Sequence, residues 1–360
     1  MADVTDFGMH MDRRTALRML AASSVMPWRA AAAVDGSARI VLLPDIPDAV
    51  GRAGMFAGVH DGVLLAAGGA NFPDRMPWEG GTKVWHDEVY ALRNGGTAWH
   101  VVGRLPSRNG YGVSASTERG VLIVGGSDAS RHRADAWVMT AVGSTVAFRA
   151  LPSLPHSLAQ MTGALVGRTL HIVGGIERPD STSASAAHYA IDTDALARGW
   201  QPLPPLPGGG RILATSAAID GALYVVGGCT LHAGPDGRAA RTYRPDGWRY
   251  RDGRWTPIAP LPMPLAASAS PAPVVDGRLL VVGGDAGRHV GVSPGAHPGF
   301  SRRLLAYDPV SDRWHSSGDL SHDAPVTLPT APWSGGHALV SGEVRPGVRT
   351  PRVLLVTSRD

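Results

Sequence analysis

Short apolar runs that end in two glycines recur along the chain and form its main pattern. The glycine pairs begin at positions 68, 125, 174, 227 and 283, and a sixth copy carries Ser341 in place of the first glycine. Successive copies are therefore 49 to 58 residues apart. A short apolar run bounded by glycines is typical of a buried β-strand, and the glycines indicate places where backbones approach closely.

A second feature repeats between the glycine pairs, an aromatic residue followed by a Leu-Pro or similar turn. Asp-Gly pairs such as Asp220-Gly221 and Asp276-Gly277 predict hairpins inside each interval. Every interval then predicts four short strands, and its tryptophan is expected to pack against the neighbouring unit. The aromatic positions are Trp99, Phe148, Trp200, Trp255 and Trp314.

This double repeat resembles the Kelch family, whose blades take roughly 50 residues. The resemblance predicts an all-β protein, a six-bladed β-propeller over residues 38–360. Arg39 to Leu43 look like the last strand of a blade, and Pro325 to Thr357 look like a blade that lacks that strand. Pairing the two segments would close the ring and leave no free sheet edge.

Composition and charge exclude several classes of protein. Charged residues make up 18% of the chain, hydrophobic residues 44%, and the net charge is only +4. No Lys/Arg block indicates nucleic-acid binding, no later apolar stretch is long enough to span a bilayer, and nothing indicates an obligate protein partner. The single cysteine, Cys229, permits no intrachain disulfide and no cysteine metal cluster, and no His-Glu-x-x-His occurs. We therefore expect neither a metal nor a cofactor.

Residues 1–35 predict a targeting segment. Arg13-Arg14 precede a mildly apolar run, and Ala30 to Ala33 offer small residues for a signal peptidase. The paired arginines resemble a twin-arginine export signal, which implies a periplasmic or otherwise exported protein. The alternative is a cytoplasmic extension without a targeting role.

Candidate chemistry lies where the repeat is broken. Glu343 follows the degenerate sixth copy directly, and Arg349 comes six residues later, after a Pro346-Gly347 turn. The turn is expected to bring both side chains towards one cavity. The segment resembles the Gly-Glu-x-x-Pro-Gly-x-Arg motif of the sialic acid (N-acetylneuraminate) mutarotases, which are exported Kelch propellers.

Two further segments resemble the same family, 66–72 (Ala-Ala-Gly-Gly-Ala-Asn-Phe) and 109–114 (Asn-Gly-Tyr-Gly-Val-Ser). The Glu/Arg blade comes last here, whereas better-known members carry it mid-chain, so the chain looks like a circularly permuted branch. The resemblance implies that Glu343 and Arg349 are catalytic and that the protein interconverts the α and β anomers of a sialic acid. Because arginine stays protonated, we expect Arg349 to hold the sugar carboxylate, and the general acid stays open.

Other residues are expected to contact the substrate, a small sugar acid. Arg52, Arg108 and Arg211 each follow a proline-containing turn, and Asn71 follows a glycine pair. The alternative for each arginine is a bond to a neighbouring backbone carbonyl, and Asn71 could instead cap its strand. Glu79, in the loop Pro73 to Trp85 together with Trp78 and Lys83, belongs either to the site or to a solvated loop.

Two other functions remain open. One is a non-enzymatic propeller that binds a glycan or a protein. The other is copper oxidase chemistry of the galactose oxidase kind, which the sequence favours less because only Cys229 could form the required cross-link with a tyrosine.

Overall fold

The computed structural model describes residues 38–359, which form six four-stranded antiparallel sheets in a ring. The sheets are the blades of a six-bladed β-propeller, and the predicted fold is thereby confirmed. The first strands of successive blades contact one another around the axis, so they are innermost. The predicted targeting segment lies outside the described residues. No helix within residues 38–359 has the length and apolar character needed to cross a membrane.

The first half of the chain includes one two-stranded ribbon, formed by β4 and β5. It lies in a connection of blade I and is not part of the four-stranded sheet. Two 3₁₀ turns, Pro77–Glu79 and Leu196–Arg198, lie in connections. The strands are β1 (Arg39–Leu43); in blade I, β2 (Phe56–His60), β3 (Val63–Ala67), β4 (Ala70–Asn71), β5 (Val84–Trp85), β6 (Glu88–Arg93) and β7 (His100–Arg104); in blade II, β8 (Val113–Thr117), β9 (Gly120–Val124), β10 (Ala136–Val142) and β11 (Thr145–Leu151); and in blade III, β12 (Thr162–Val166), β13 (Thr169–Val173), β14 (His188–Asp192) and β15 (Gln201–Leu203).

The second half adds two more ribbons, β18 with β19 and β28 with β29. The strands are, in blade IV, β16 (Thr215–Ile219), β17 (Ala222–Val226), β18 (Cys229–Ala233), β19 (Ala239–Tyr243), β20 (Gly247–Arg251) and β21 (Arg254–Ile258); in blade V, β22 (Val274–Val275), β23 (Arg278–Val282), β24 (Arg303–Asp308) and β25 (Arg313–Asp319); and in blade VI, β26 (Thr330–Trp333), β27 (Gly336–Val340), β28 (Glu343–Arg345), β29 (Val348–Arg349) and β30 (Val353–Thr357).

The ring closes through its most distant strands in sequence. β1 pairs antiparallel with β30, with Arg39 opposite Thr357 and Leu43 opposite Val353. β1 is therefore the outermost strand of blade VI, as the sequence predicts. Its pairing removes the sheet edge that an open ring would leave.

Tryptophans join the blades by a repeated hydrogen bond as well as by packing. In four blades the indole N–H near the start of the outermost strand donates to a carbonyl oxygen that follows the outermost strand of the preceding blade. Each such bond contributes about 0.5–1.5 kcal/mol. Phe148 of blade II lacks the donor. The pairs are Trp99 with Pro44, Trp200 with Pro152, Trp255 with Pro204 and Trp314 with Ala259, at 2.8 to 2.9 Å.

Two histidines of blade III are buried against blade IV. His188 Nδ1 donates to the Pro204 carbonyl oxygen at 3.2 Å, so its Nε2 accepts a hydrogen bond from His171 Nδ1 at 2.8 Å. The ring of His188 also packs against Tyr250 and Trp255. Burial lowers the pKa of His171 to about 4 and that of His188 to about 3, the latter also because of His171. Both rings are neutral at pH 7.

Acidification should therefore destabilise the propeller well above the pH at which these rings titrate. Unfolded histidine titrates near pH 6.5, so below that pH the unfolded chain binds protons that the folded chain does not. Each ring lowers the free energy of unfolding by up to about 1.4 kcal/mol per pH unit. Urea unfolding at pH 7.5, 6 and 5 measures this slope. The double variant His171→Leu/His188→Asn should have a shallower slope, and equal slopes would contradict the neutral pair.

Candidate active site

A cavity of about 260 Å³ opens at one mouth of the propeller channel. The connections between the second and third strands of the blades meet at this mouth. Each of them forms a β-bridge with the connection that leads into the first strand of the same blade, for example Val326 with Glu343 in blade VI. Its charged lining residues are Lys83, Arg241, Asp285, Glu343 and Arg349, three cations against two anions. The lining favours an anionic ligand the size of one sugar.

The floor of this cavity is a closed ring of backbone hydrogen bonds. Each blade contributes one residue from the connection that leads into its first strand. The N–H of that residue donates to the carbonyl oxygen of the equivalent residue in the preceding blade, at 2.6 to 2.9 Å. All six have left-handed backbone conformation, with φ between +55° and +66°. The channel below holds only about 60 Å³. The six residues are Gly54, Tyr111, Gln160, Leu213, Ala267 and Thr327.

The β28–β29 hairpin brings the predicted catalytic pair together. Glu343 and Arg349 are directly opposite across the ribbon, and Arg349 Nη1 lies 2.8 Å from Glu343 Oε2. The turn needs Gly347, because its φ of +83° lies in the left-handed region that glycine adopts without strain. The Gly347 N–H donates to Glu343 Oε1 at 2.8 Å. One carboxylate oxygen is thus held by the turn and the other by the guanidinium.

Arg349 is only 8% exposed, and most of its surroundings hold it in place. Nε donates to the Ala70 carbonyl oxygen at 3.4 Å, and the guanidinium carbon lies 5.4 Å from the centre of the Phe72 ring. Nη1 forms an ion pair with Glu343 Oε2, but no acceptor among residues 38–359 is aligned with it for a hydrogen bond. A buried donor of this kind needs an acceptor, and a carboxylate in the cavity would supply one.

The broken repeat at Ser341 has a structural role in the same blade. The first glycine of every other pair has a φ between +61° and +73°, and Ser341 adopts +61° as well. Its Oγ donates to the Thr350 carbonyl oxygen at 2.6 Å and accepts the Arg52 N–H at 2.8 Å. The serine therefore ties the end of the β28–β29 ribbon to the segment that leads into blade I.

The cavity lining also contains a pair, Tyr243 and Asp285, that the sequence did not identify. The Tyr243 hydroxyl donates to Asp285 Oδ2 at 2.6 Å, and the Gly287 N–H holds Asp285 Oδ1 at 2.8 Å. Burial, and then the Asp285 carboxylate, raise the pKa of Tyr243. Asp285 directly follows a glycine pair, and Glu343 follows the corresponding Ser341-Gly342, so this shared position was the available signal.

Three of the predicted binding residues lie in the framework around the cavity. Arg52 forms ion pairs with Asp48 at 2.7 Å and Glu88 at 3.0 Å. Arg211 is 1% exposed, bonds Asp246 at 2.7 Å, and donates to the Gly227 carbonyl oxygen. The amide of Asn71 bonds the Gly51 carbonyl oxygen, Asp48 and His86. Both arginines therefore form ion pairs within the framework, and Arg211 also makes the bond to a neighbouring backbone carbonyl that the alternative predicted.

The last two predicted binding residues are exposed. Arg108 lines a separate cleft of about 430 Å³ beside the main cavity, together with Lys83 and Trp85. Glu79 ends a 3₁₀ turn, and its carboxylate accepts the Met76 N–H at 3.1 Å. The structure brings neither side chain into the main cavity. Lys83, from the same loop as Glu79, does line it.

Metal ligands do not cluster in this region. Within residues 38–359, no group of three or more His, Cys, Asp or Glu side chains is placed to hold a metal ion. Burial raises the pKa of Cys229 to about 12. This cysteine lies in an apolar cluster with Ile176 and Ile212 and is a thiol at neutral pH.

Comparison with known proteins shows similarity to one family. The family model "N-acetylneuraminate epimerase" matches residues 28–147. A Haemophilus influenzae protein named N-acetylneuraminate epimerase is 42% identical over 98 residues, which is 23% of this chain and 26% of that protein. Proteins of the same name from Yersinia enterocolitica and Shigella sonnei are 26% and 28% identical, each over 56% of this chain.

The matched regions cover 56% and 59% of these two longer relatives, so the chain spans less than two thirds of each. A solved structure described as "Structure of YjhT" shares the fold with a TM-score of 0.64 and 15% identity, over 88% of this chain and 99% of that one. The family-model match includes the segments 66–72 and 109–114, and it confirms the resemblance that these two segments predicted.

Proposed function

We propose that the protein is a mutarotase that interconverts the α and β anomers of N-acetylneuraminate or a closely related sugar acid. The observation that carries the proposal is the Glu343–Arg349 pair on the wall of a sugar-sized cavity. The relatives that match the chain are named for epimerisation of this sugar.

The reaction requires the sugar ring to open and close. Glu343 is the base that removes the proton of the anomeric hydroxyl, and its second oxygen stays fixed by the Gly347 N–H. Arg349 holds the sugar carboxylate through Nη1, which has no aligned acceptor among the described residues. In a sialic acid the carboxylate is bonded directly to the anomeric carbon. Binding of the carboxylate by Arg349 therefore places the anomeric carbon beside Glu343.

Release of α-N-acetylneuraminate by a sialidase, followed by NMR of the anomeric signals, tests the proposal. The purified protein should speed the decay of the α anomer above the rate in buffer, in proportion to protein concentration. A heat-denatured sample is the control. A decay rate equal to that in buffer at micromolar protein would refute the mutarotase activity.

A binding propeller without catalysis is the second candidate. It is favoured by the same net positive lining, which suits an anionic glycan whether or not the ligand reacts. In that case the sugar would bind and exchange its anomers at the rate in buffer. We also propose that the protein acts outside the cytoplasm, on the ground of Arg13-Arg14 in the amino-terminal sequence.

A further inference from the structure

Lys83 is the one lysine in a chain that carries 34 lysine and arginine residues together. Every other basic side chain of this kind is an arginine. The lone lysine lies in the connection between β4 and β5 and lines the cavity together with Glu343 and Arg349. The difference matters chemically, because an arginine cannot give up its proton near neutral pH and a lysine can.

The Lys83 ammonium is held by aromatic faces. Nζ lies 4.1 Å from the centre of the Tyr111 ring and 4.5 Å from that of Trp85. These contacts stabilise a cation without using its N–H bonds. Among residues 38–359, Lys83 has no carboxylate within ion-pair distance and no hydrogen-bond acceptor. The N–H bonds are therefore free for oxygen atoms of a ligand in the cavity.

The environment also brings Lys83 close to its titration point. Burial, and then the positive charge of Arg349, lower the pKa of Lys83 to about 8, against the opposing effect of Glu343. The amine is mostly protonated at pH 7, yet the neutral form costs little. A group that must give a proton and later take it back works best with a pKa near the working pH.

We propose that Lys83 is the general acid of the reaction, the group that donates a proton to the ring oxygen of the sugar acid. The proposal rests on the proposed mutarotase function and names the partner that Glu343 requires. Arg349 cannot take this part, because it keeps its proton.

The proton transfers balance over one cycle. Glu343 takes the proton of the anomeric hydroxyl, the anomeric C–O bond becomes a ketone, and the bond from the anomeric carbon to the ring oxygen breaks. Its electron pair passes to the ring oxygen, which receives a proton from Lys83 Nζ. After the ketone turns its other face, neutral Lys83 takes the proton back as the ring closes. Glu343 returns its proton to the new anomeric oxygen.

Substitution of Lys83 separates proton donation from charge. Lys83→Arg keeps the cation between the two rings but removes a releasable proton, and Lys83→Met removes both. Loss of a general acid typically slows a reaction about 10²- to 10⁴-fold. We expect both variants to lose at least 100-fold in kcat, with KM changed less, measured by the NMR decay assay with the buffer rate subtracted. Thr82→Val, next to Lys83 and exposed, is the control, and thermal unfolding checks that each variant folds.

The pH profile gives a second readout. For the wild type, kcat/KM should fall above pH 8, because the free enzyme must carry a protonated amine. The Lys83→Arg variant should lack this alkaline decline. A Lys83→Arg variant within 3-fold of wild-type activity, or with the same alkaline decline, would overturn the proposal while leaving the mutarotase function intact. An inactive wild type would instead refute the function itself.

The single lysine also permits a direct titration without activity. Protein grown with ¹³C-lysine has one labelled side chain, so its Cε signal in the full-length protein reports Lys83 alone. We expect a midpoint near pH 8 and a change of that signal when N-acetylneuraminate binds. A midpoint at the ordinary lysine value, about 10.4, with no response to the sugar would contradict the proposal.

Discussion

Replacing Glu343 with glutamine is expected to reduce the rate of anomer exchange about 10²- to 10⁴-fold, the range typical of a lost general base. Glutamine matches glutamate in shape and can still accept the Gly347 N–H that now bonds Oε1. It cannot accept a proton from the anomeric hydroxyl. The fall should therefore appear in kcat, with the hairpin retained.

The NMR decay assay measures this effect, with the anomer signals followed at equal protein concentrations. Glu118→Gln is the matched control, because Glu118 is exposed in the turn between β8 and β9, far from the β28–β29 ribbon. Binding of N-acetylneuraminate by the Glu343→Gln protein, measured by calorimetry, shows whether the cavity survives. Wild-type rates in a correctly folded Glu343→Gln variant would contradict the assignment of Glu343 as the base.

The second large effect is expected from Arg349→Met. The variant removes a buried guanidinium whose Nη1 has no aligned acceptor among residues 38–359, and with it the hold on the sugar carboxylate. Hydrogen bonds to charged groups contribute about 1.5–3 kcal/mol, which corresponds to roughly a 10- to 100-fold rise in KM. The neighbouring Glu343 also loses its ion-pair partner, so kcat should fall as well.

A comparison of the acid with its methyl ester isolates the role of the guanidinium. The wild type should prefer N-acetylneuraminate to the ester, in which the carboxylate charge is absent, and Arg349→Met should show little preference. Arg352→Met provides the control, since Arg352 lies three residues further on and is exposed. An unchanged preference in Arg349→Met would place the carboxylate elsewhere in the cavity, for example on Arg241.

The fold could be predicted because its determinants are local and repeated. Each glycine pair, tryptophan and Asp-Gly turn predicts the same part of a blade, and a segment without its fourth strand indicates where β1 belongs. The proximity of Glu343 and Arg349 could be predicted for a related reason. The two residues lie on one short hairpin, and the Pro-Gly turn of that hairpin is evident in the sequence. Local sequence sufficed in both cases.

The remaining lining residues come from other blades, and sequence order does not show which of them meet. Lys83, Tyr111 and Asp285 reach the cavity only because the ring is closed. The framework contacts of Arg52 and Arg211 could not be predicted from sequence for a similar reason. Sequence order does not show that Asp48, Glu88 and Asp246 form ion pairs with these arginines. Both arginines were therefore predicted to bind a ligand.

Main-chain hydrogen bonds form the ring beneath the cavity, whereas side chains of the same residues line the cavity. Only Gly54 suits a left-handed backbone without strain, whereas tyrosine, glutamine, leucine, alanine and threonine are disfavoured there. These five residues adopt a disfavoured backbone conformation at positions whose geometry is set by hydrogen bonds between main-chain amide groups. Single substitutions at these positions should therefore change the shape of the cavity while the backbone of the propeller remains the same.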